Sequence, residues 1–231
     1  GRPFTAYDTK TDQTLGLCVY PYWHPSGRYV AYSTNATRQL FHSADPNRIE
    51  VFDTASDLLV YDVDNNELLL SPLLQQDSLY ETFPVFSADG RSLYFCAARS
   101  LPEDSHQLDS IRYNLCRIDF NPATGRFGDQ IETVVDAASQ QKSVSFPRPS
   151  YDGRFLCYTF SDYGQFSIWH HEADLWMINL VTGENYPIIE ANSNDTESFH
   201  NWSINSRWIV VSSRRDDGLF SRPYFCHVDA D

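Results

Sequence analysis

Apolar and polar residues alternate in short runs along this chain, and the runs recur. Four segments each begin with an aromatic residue, pass through a small polar corner and continue into a run rich in aromatic and β-branched residues. Short alternating runs predict β-strands. Asp-Gly or Ser-Gly between two of them predicts a tight hairpin, because these residues accept the positive φ angles that the turn needs. The four predicted hairpins lie at residues 20–30, 83–93, 146–156 and 199–209.

The hairpins are spaced regularly and are followed by further strand patterns. The arginine after each corner recurs at intervals of 63, 63 and 53 residues, at Arg28, Arg91, Arg154 and Arg207. A shared downstream pattern predicts a third strand in each repeat, at residues 57–67, 114–119, 174–184 and 224–229. Apolar stretches at residues 67–72, 130–135 and 186–190 predict a fourth strand. Four antiparallel strands recurring at this period predict the blades of a β-propeller.

We therefore predict an all-β chain that forms one propeller domain or propeller segment over residues 1–231. The repeat cores fall near residues 17–72, 80–136, 143–190 and 196–231, and residues 1–16 belong to a preceding or closing blade, since residues 6–12 resemble a third strand and its turn. Either these amino-terminal strands complete the last blade and close a small ring, or the chain is a segment of a longer propeller. We favour a segment of a six- to eight-bladed propeller, because four blades is the lower limit for this architecture.

The repeat also resembles that of a known family. The pattern aromatic-Pro-x-aromatic-Ser-x-Asp-Gly-Arg-x-Leu, followed by Asp-Leu-x-x-x-Asp-x-x-Thr-Gly-Glu, is similar to the repeat of TolB-like β-propellers, most closely at residues 83–95 and 174–184. It departs most at the fourth corner, where Asn205-Ser206 replaces Asp-Gly. The resemblance implies a bacterial envelope protein, periplasmic or lipid-anchored, that binds proteins or small ligands on a propeller face. It implies a fold more specifically than an activity, because one fold hosts many functions.

Charge and cysteine content narrow the possible partners. The 31 acidic and 17 basic side chains give a net charge of −14, which repels nucleic acid and anionic membrane surfaces. No apolar run reaches the length of a membrane-spanning helix, so any lipid anchor is expected outside this segment. Five cysteines leave at least one thiol unpaired, and we expect all five to be structural. The expected partner is a protein or a small polar ligand.

Three long insertions between the second and third strands are the first candidate site. They cover residues 34–56, 98–113 and 161–173, and they are expected to emerge from one face as a composite rim. In the third, His170 and His171 stand beside Glu172. Adjacent strand residues point to opposite faces, so we favour hydrogen-bonded loop histidines over a metal site. The polar residues of the first insertion are Arg38, His42, Asp45, Arg48, Glu50 and Asp53.

The inner strands carry a second candidate site. His200 stands where the other three repeats have proline, which places a titratable ring beside the central channel. Arg148 and Glu197 are expected to face the same opening. These residues predict a site for a polar or anionic ligand, such as a peptide carboxylate or a sugar acid. The alternative is a pair of water-bridged channel residues.

The chain carries no signature of a catalytic site. It has no Gly-x-Ser-x-Gly elbow, phosphate-binding loop, dinucleotide fingerprint or His-Glu-x-x-His helix, so we assign no catalytic residue, metal or cofactor. Asp62, Asp64 and Asn66 have the opening spacing of a calcium loop but lack its later glycine and acid, which favours a turn. The expected function is that of a noncatalytic binding or scaffolding module of the bacterial envelope. The alternatives are an accessory propeller of a peptidase and a propeller lyase or hydrolase acting on peptides or acidic sugars.

Overall fold

The computed structural model describes residues 11–16, 18–41, 49–102 and 107–229. Regular structure within these ranges is almost entirely β, which confirms the predicted class. Three single-turn 3-10 helices cover Leu108–Ser110, Ala138–Gln140 and Ser167–Trp169. The strands are β1 (Cys18–Trp23), β2 (Tyr29–Phe41), β3 (Ile49–Asp62), β4 (Glu67–Leu69), β5 (Leu79–Phe86), β6 (Ser92–Arg99), β7 (Asn114–Asn121), β8 (Arg126–Val135), β9 (Ser143–Pro149), β10 (Phe155–Ser161), β11 (Asp174–Asn179), β12 (Asn185–Pro187), β13 (Glu197–Trp202), β14 (Trp208–Ser213) and β15 (Arg222–His227).

The strands form four successive antiparallel blades, as the repeat predicts. Strands β1–β4, β5–β8 and β9–β12 make the first three blades, and β13–β15 make the fourth within the described residues. One parallel residue pair, Ser56 with Tyr80, joins the first two sheets. Residues 6–10 of the predicted amino-terminal strand lie outside the described residues, as do His42, Asp45 and Arg48 of the first insertion. No helix in the described ranges is long and apolar enough to cross a membrane.

One aromatic ring from each inner strand builds a continuous stack, which we call the axial stack. Each of these residues has a positive φ, between 48° and 53°, at an irregularity in the pairing of the inner and second strands. Such a φ costs a side-chain-bearing residue roughly 1–2 kcal/mol, and contact between the rings offsets part of that cost. Successive ring centroids are 4.3, 4.3 and 4.4 Å apart. The members of the axial stack are Tyr20, Phe83, Phe146 and Phe199.

The hairpin corners of successive blades contact one another at the opposite end from the insertions. We call this end the turn face; it comprises residues 24–28, 87–91, 150–154 and 203–207. The His24 ring nitrogen Nε2 lies 3.0 Å from the carbonyl oxygen of Gly90 in the next blade. The Asp152 amide donates to Ser206 Oγ at 3.0 Å. Ser206 occupies the positive-φ position that glycine fills in the other corners, with φ 58°.

Apolar cores lie between successive blades. Tyr29 and Phe95 belong to the core between the first and second blades, whereas Tyr158 and Phe83 belong to the core between the second and third. Trp202 packs with Cys157 between the third and fourth. Cys96, Cys116, Cys157 and Cys226 are free thiols, which confirms that at least one cysteine is unpaired.

Candidate functional site

The first insertion is a continuation of the blade rather than an irregular loop. Strands β2 and β3 stay paired beyond the sheet, from Asn35 opposite Ser56 to Phe41 opposite Ile49. We call residues 34–41 and 49–56 the first-blade hairpin. Its paired backbone gives its side chains fixed positions over the neighbouring blades.

The first-blade hairpin reaches the third insertion, two blades away. Tyr163 Oη donates to Glu50 Oε1 at 2.8 Å, and Gln165 Nε2 donates to Asp53 Oδ2 at 2.6 Å. The second insertion joins them, because the Gly164 amide donates to the carbonyl oxygen of Ile111 at 2.9 Å. The three insertions therefore converge on one surface, which we call the insertion face.

Asp53 is the buried anchor of this surface. Its side chain accepts hydrogen bonds from Asn35 Nδ2 and Thr37 Oγ1, both at 2.7 Å, besides the bond from Gln165. Burial raises the pKa of Asp53 to about 6, and the hydrogen bonds from Thr37 and Asn35 oppose that rise. The carboxylate has three side-chain donors from its own hairpin and the third blade, so it fixes the hairpin against that blade.

The two adjacent histidines of the third insertion have different partners. His170 is buried between two carboxylates, with Nδ1 3.3 Å from Glu172 Oε1 and Nε2 3.7 Å from Glu50 Oε2. Burial alone would lower the pKa of His170, but hydrogen bonding and charge from Glu172 and Glu50 outweigh burial and raise it. His171 is exposed, and its Nδ1 lies 3.0 Å from Asp195 Oδ1. Each ring thus pairs with carboxylates of its own, in an arrangement that suits loop histidines.

Glu197 lies at the start of β13 and is completely buried. Its Oε1 accepts hydrogen bonds from Ser193 Oγ at 2.6 Å, Ser213 Oγ at 2.7 Å and Arg215 Nη2 at 3.1 Å. Its Oε2 accepts one from the Ser193 amide at 3.0 Å. These partners hold the loop that precedes the fourth inner strand.

Arg148 lies near the propeller axis. Its guanidinium carbon is 5.7 Å from the ring centre of Tyr22 in the first blade, and its charge acts on His200 in the fourth. Cys96 of the second blade and Cys157 of the third are also within electrostatic range. Nη1 donates to the carbonyl oxygen of Pro147 at 2.8 Å, and no carboxylate of the described residues pairs with the guanidinium. Burial lowers the pKa of Arg148.

His200 is 2% exposed, and its strand β13 packs against β9, which carries Arg148. Neither ring nitrogen has a hydrogen-bond partner of normal geometry among the described residues. Burial and, after it, the charge of Arg148 lower the pKa of His200 to about 3, although the nearby backbone of Cys157 opposes the shift. The imidazole is therefore neutral at pH 7. Of the five residues proposed from sequence, Arg148 and His200 come together, whereas Glu197, His170 and His171 each have separate partners.

The tyrosines around Arg148 were not among the site residues predicted from the sequence. Tyr22 lies against the guanidinium, and the half-exposed Tyr151 of the third corner lies near Tyr22. The signal for Tyr22 is its repeat position. It occupies the same place after the repeat proline as Arg148, a place that Val85 and Asn201 fill in the other blades.

Comparison with known proteins rests on structure alone. No protein-family model and no curated protein sequence matches the chain. TolB from Acinetobacter baumannii superposes with a TM-score of 0.59 at 14% identity, over 93% of this chain and 42% of that chain. A putative TolB from Agrobacterium tumefaciens superposes with a TM-score of 0.50 at 14% identity, over 94% of this chain and 60% of that chain.

The chain has a TolB-like propeller fold. This TolB-like propeller is also similar to prolyl oligopeptidase B from Galerina marginata, solved with a macrocyclization substrate. The TM-score is 0.56 at 13% identity, over 90% of this chain and 26% of that chain. The chain spans less than two thirds of the length of each of these structures. Similarity at these identities establishes the fold and no activity.

Proposed function

We propose that this TolB-like propeller is a noncatalytic binding or scaffolding module of the bacterial cell envelope, located in the periplasm, and that its insertion face contacts a protein partner. The observation that carries the proposal is the convergence of three insertions through hydrogen bonds between them. The blades themselves serve the fold, whereas elaborated connections on one face are where binding surfaces are built.

The insertion face is both preformed and acidic. Hydrogen bonds between the hairpin and the third insertion fix its backbone before any partner arrives, which lowers the entropic cost of association. Asp109 on this face is exposed, and Asp162, which is ion-paired with Lys142, is half-exposed. With a net charge of −14, the chain suits a partner that presents a basic patch.

The envelope location has separate support. It comes from the TolB-like repeat in the sequence and from the two TolB structures that share the fold. A second, small-ligand site on the axis is compatible with the same binding role, because the insertion face and the axis are different parts of the surface.

The test is site-specific photocrosslinking in bacterial envelope extract. A photoactivatable amino acid is placed at Asp162 on the insertion face and, as the matched control, at Asp152 on the turn face. We expect position 162 to crosslink one protein in stoichiometric amount and position 152 to leave it unlabelled. No product at position 162, or the same set of products at both positions, contradicts the proposal.

A second candidate function has one observation in its favour. The similarity to prolyl oligopeptidase B suggests an accessory propeller of a peptidase, in which the propeller accompanies a separate hydrolase. The crosslinking experiment separates the two proposals, since an accessory propeller is expected to label a hydrolase domain rather than a separate envelope protein.

A further inference from the structure

The axis of the propeller holds an arginine whose charge is not compensated by a carboxylate. Arg148 is close to groups from all four blades, yet the described residues give its guanidinium only the Pro147 carbonyl and the face of Tyr22. The chain has almost twice as many acidic as basic side chains. The corner arginines Arg28 and Arg154, in contrast, are ion-paired with Asp62 and Asp152. Arg148 is half-buried, and a partly desolvated cation without a counterion costs free energy unless a ligand supplies the negative charge.

His200 is a second, independent sign of a ligand at this place. The other three blades have proline at its position, so the fold does not require a polar side chain there. The ring is nevertheless buried, and although the Cys157 backbone lies near it, neither nitrogen has a hydrogen bond of normal geometry among the described residues. A neutral imidazole carries one N–H donor, which needs an acceptor when it is buried.

We propose that Arg148 and His200 bind a single carboxylate group of a ligand, with Tyr22 holding the guanidinium in place. The proposal deepens the proposed binding function and rests on it. The planar guanidinium matches the two oxygens of a carboxylate, and His200 adds one neutral donor. One positive charge balances a monoanion, so a carboxylate fits the site better than a phosphate dianion.

The ligand approaches from the turn face. Arg148 and His200 follow Phe146 and Phe199 in the direction of the corners, so the axial stack separates them from the insertion face. Tyr151, which is 52% exposed, lies on the turn-face side near Tyr22. The carboxylate site and the protein-binding face are therefore at opposite ends of the molecule.

The test is to titrate small anions into the purified chain and to monitor binding by the NMR signals of its histidine rings. The probes are N-acetylglycine for a peptide terminus, glucuronate for a sugar acid, inorganic phosphate, and N-acetylglycine amide as the uncharged control. We expect at least one carboxylate to shift the His200 ring signals, the amide to have no effect, and phosphate to bind about tenfold more weakly or worse. The two carboxylates distinguish a peptide source from a sugar source.

Variants assign the effect to the two side chains. Arg148→Gln is expected to weaken carboxylate binding by about tenfold or more, because it removes a charged hydrogen-bond donor. Arg148→Lys keeps the charge without the planar fork and is expected to bind with intermediate affinity. His200→Pro introduces the residue that the other three blades have at this position and removes the imidazole donor, so it is expected to bind the carboxylate more weakly than the wild type. Because this variant lacks the His200 ring signals, its binding is measured by isothermal titration calorimetry. Arg154→Gln is the control and is expected to bind like the wild type.

Three results would overturn the proposal: no carboxylate binds, phosphate binds as tightly as the carboxylates, or Arg148→Gln binds with unchanged affinity while unfolding like the wild type. The outcome is separate from the crosslinking test, because the titration uses the purified chain and no protein partner. Failure here leaves the insertion-face proposal intact, and failure of crosslinking at position 162 leaves this titration valid.

Discussion

Two buried glutamates at the same repeat position differ in the hydrogen-bond donors that surround them. Glu81 and Glu197 each stand two residues before the aromatic residue of the inner strand. Glu197 receives hydrogen bonds from Ser193, Ser213 and Arg215. The residues that correspond to the two serines in the second blade are Asp77 and Ala97, which provide no hydroxyl donor.

Glu81 is consequently protonated in the folded chain at neutral pH. Burial raises its pKa to about 8, with a further contribution from the charge of Asp57, although the Gln76 amide opposes the rise. The unfolded chain releases this proton near the ordinary value of about 4.5, so the folded state binds more protons between the two values. The contribution of Glu81 to the free energy of unfolding is therefore greatest at low pH. It falls as pH rises toward about 8, by at most about 1.4 kcal/mol per pH unit.

The substitution Glu81→Gln tests this pH dependence. We expect the variant to have a shallower pH slope than the wild type in urea unfolding between about pH 5 and about pH 8, and to be at least as stable at the upper end. The matched control is Glu197→Gln, which loses a charged acceptor for Arg215 and is expected to be less stable by roughly 1.5–3 kcal/mol at neutral pH. Identical slopes for the wild type and Glu81→Gln would show that Glu81 does not hold its proton in the folded state.

At the scale of the hairpin, equivalent corner glycines differ in the space they leave for a side chain. Gly27 and Gly90 occupy equivalent positions with φ of 73° and 70°. A Cβ added at Gly27 meets no atom within 4 Å, whereas one added at Gly90 lies 2.1 Å from His24 Nε2. The His24 ring also packs on Phe86, with centroids 4.8 Å apart, so it has little room to move.

We expect Gly27→Ala and Gly90→Ala to differ in stability by the cost of that contact. Both variants place a side-chain-bearing residue at positive φ, at roughly 1–2 kcal/mol. Gly90→Ala also displaces His24 from a packed position, which adds roughly 1–3 kcal/mol. Chemical unfolding of the two variants measures the difference. Equal losses would indicate that His24 moves aside freely and that the corners of the first two blades are not tightly joined.

At the scale of the whole molecule, the repeat predicted the architecture because each blade repeats a local pattern of strands and corners. The irregular contacts were harder to predict. The pairing of Glu50 with Tyr163 joins residues 113 positions apart on two insertions that share no repeat pattern. The approach of Arg148 to His200 was foreseeable, because both lie on inner strands beside the repeat proline. The partners of Glu197 could not be foreseen in this way, because Ser213 lies at the end of β14 and Arg215 lies after it.

The contact between the first-blade hairpin and the third insertion is expected to stabilise the arrangement of nonadjacent blades. Tyr163→Phe removes only the hydroxyl that donates to Glu50, so the ring contact with His170, at 4.4 Å between centroids, remains possible. We expect a loss of roughly 1–3 kcal/mol, because a buried carboxylate loses a donor. Amide hydrogen exchange is expected to become faster in residues 35–41 and 49–56 of the hairpin.

Which residues show faster amide hydrogen exchange distinguishes the loss of this one contact from a general loss of stability. Tyr158→Phe is the control. Tyr158 Oη donates to Asn185 Oδ1 at 3.0 Å within the third blade, so this substitution also removes one tyrosine hydrogen bond but leaves the contact between the hairpin and the third insertion in place. If the hairpin is held by the third insertion, Tyr163→Phe accelerates exchange in the hairpin and Tyr158→Phe does not, while β5–β8 stay protected in both variants. Uniform acceleration across all blades in Tyr163→Phe would instead mean that the hairpin unfolds only with the whole propeller. The insertion face would then owe its shape to the blades beneath it rather than to Glu50 and Tyr163.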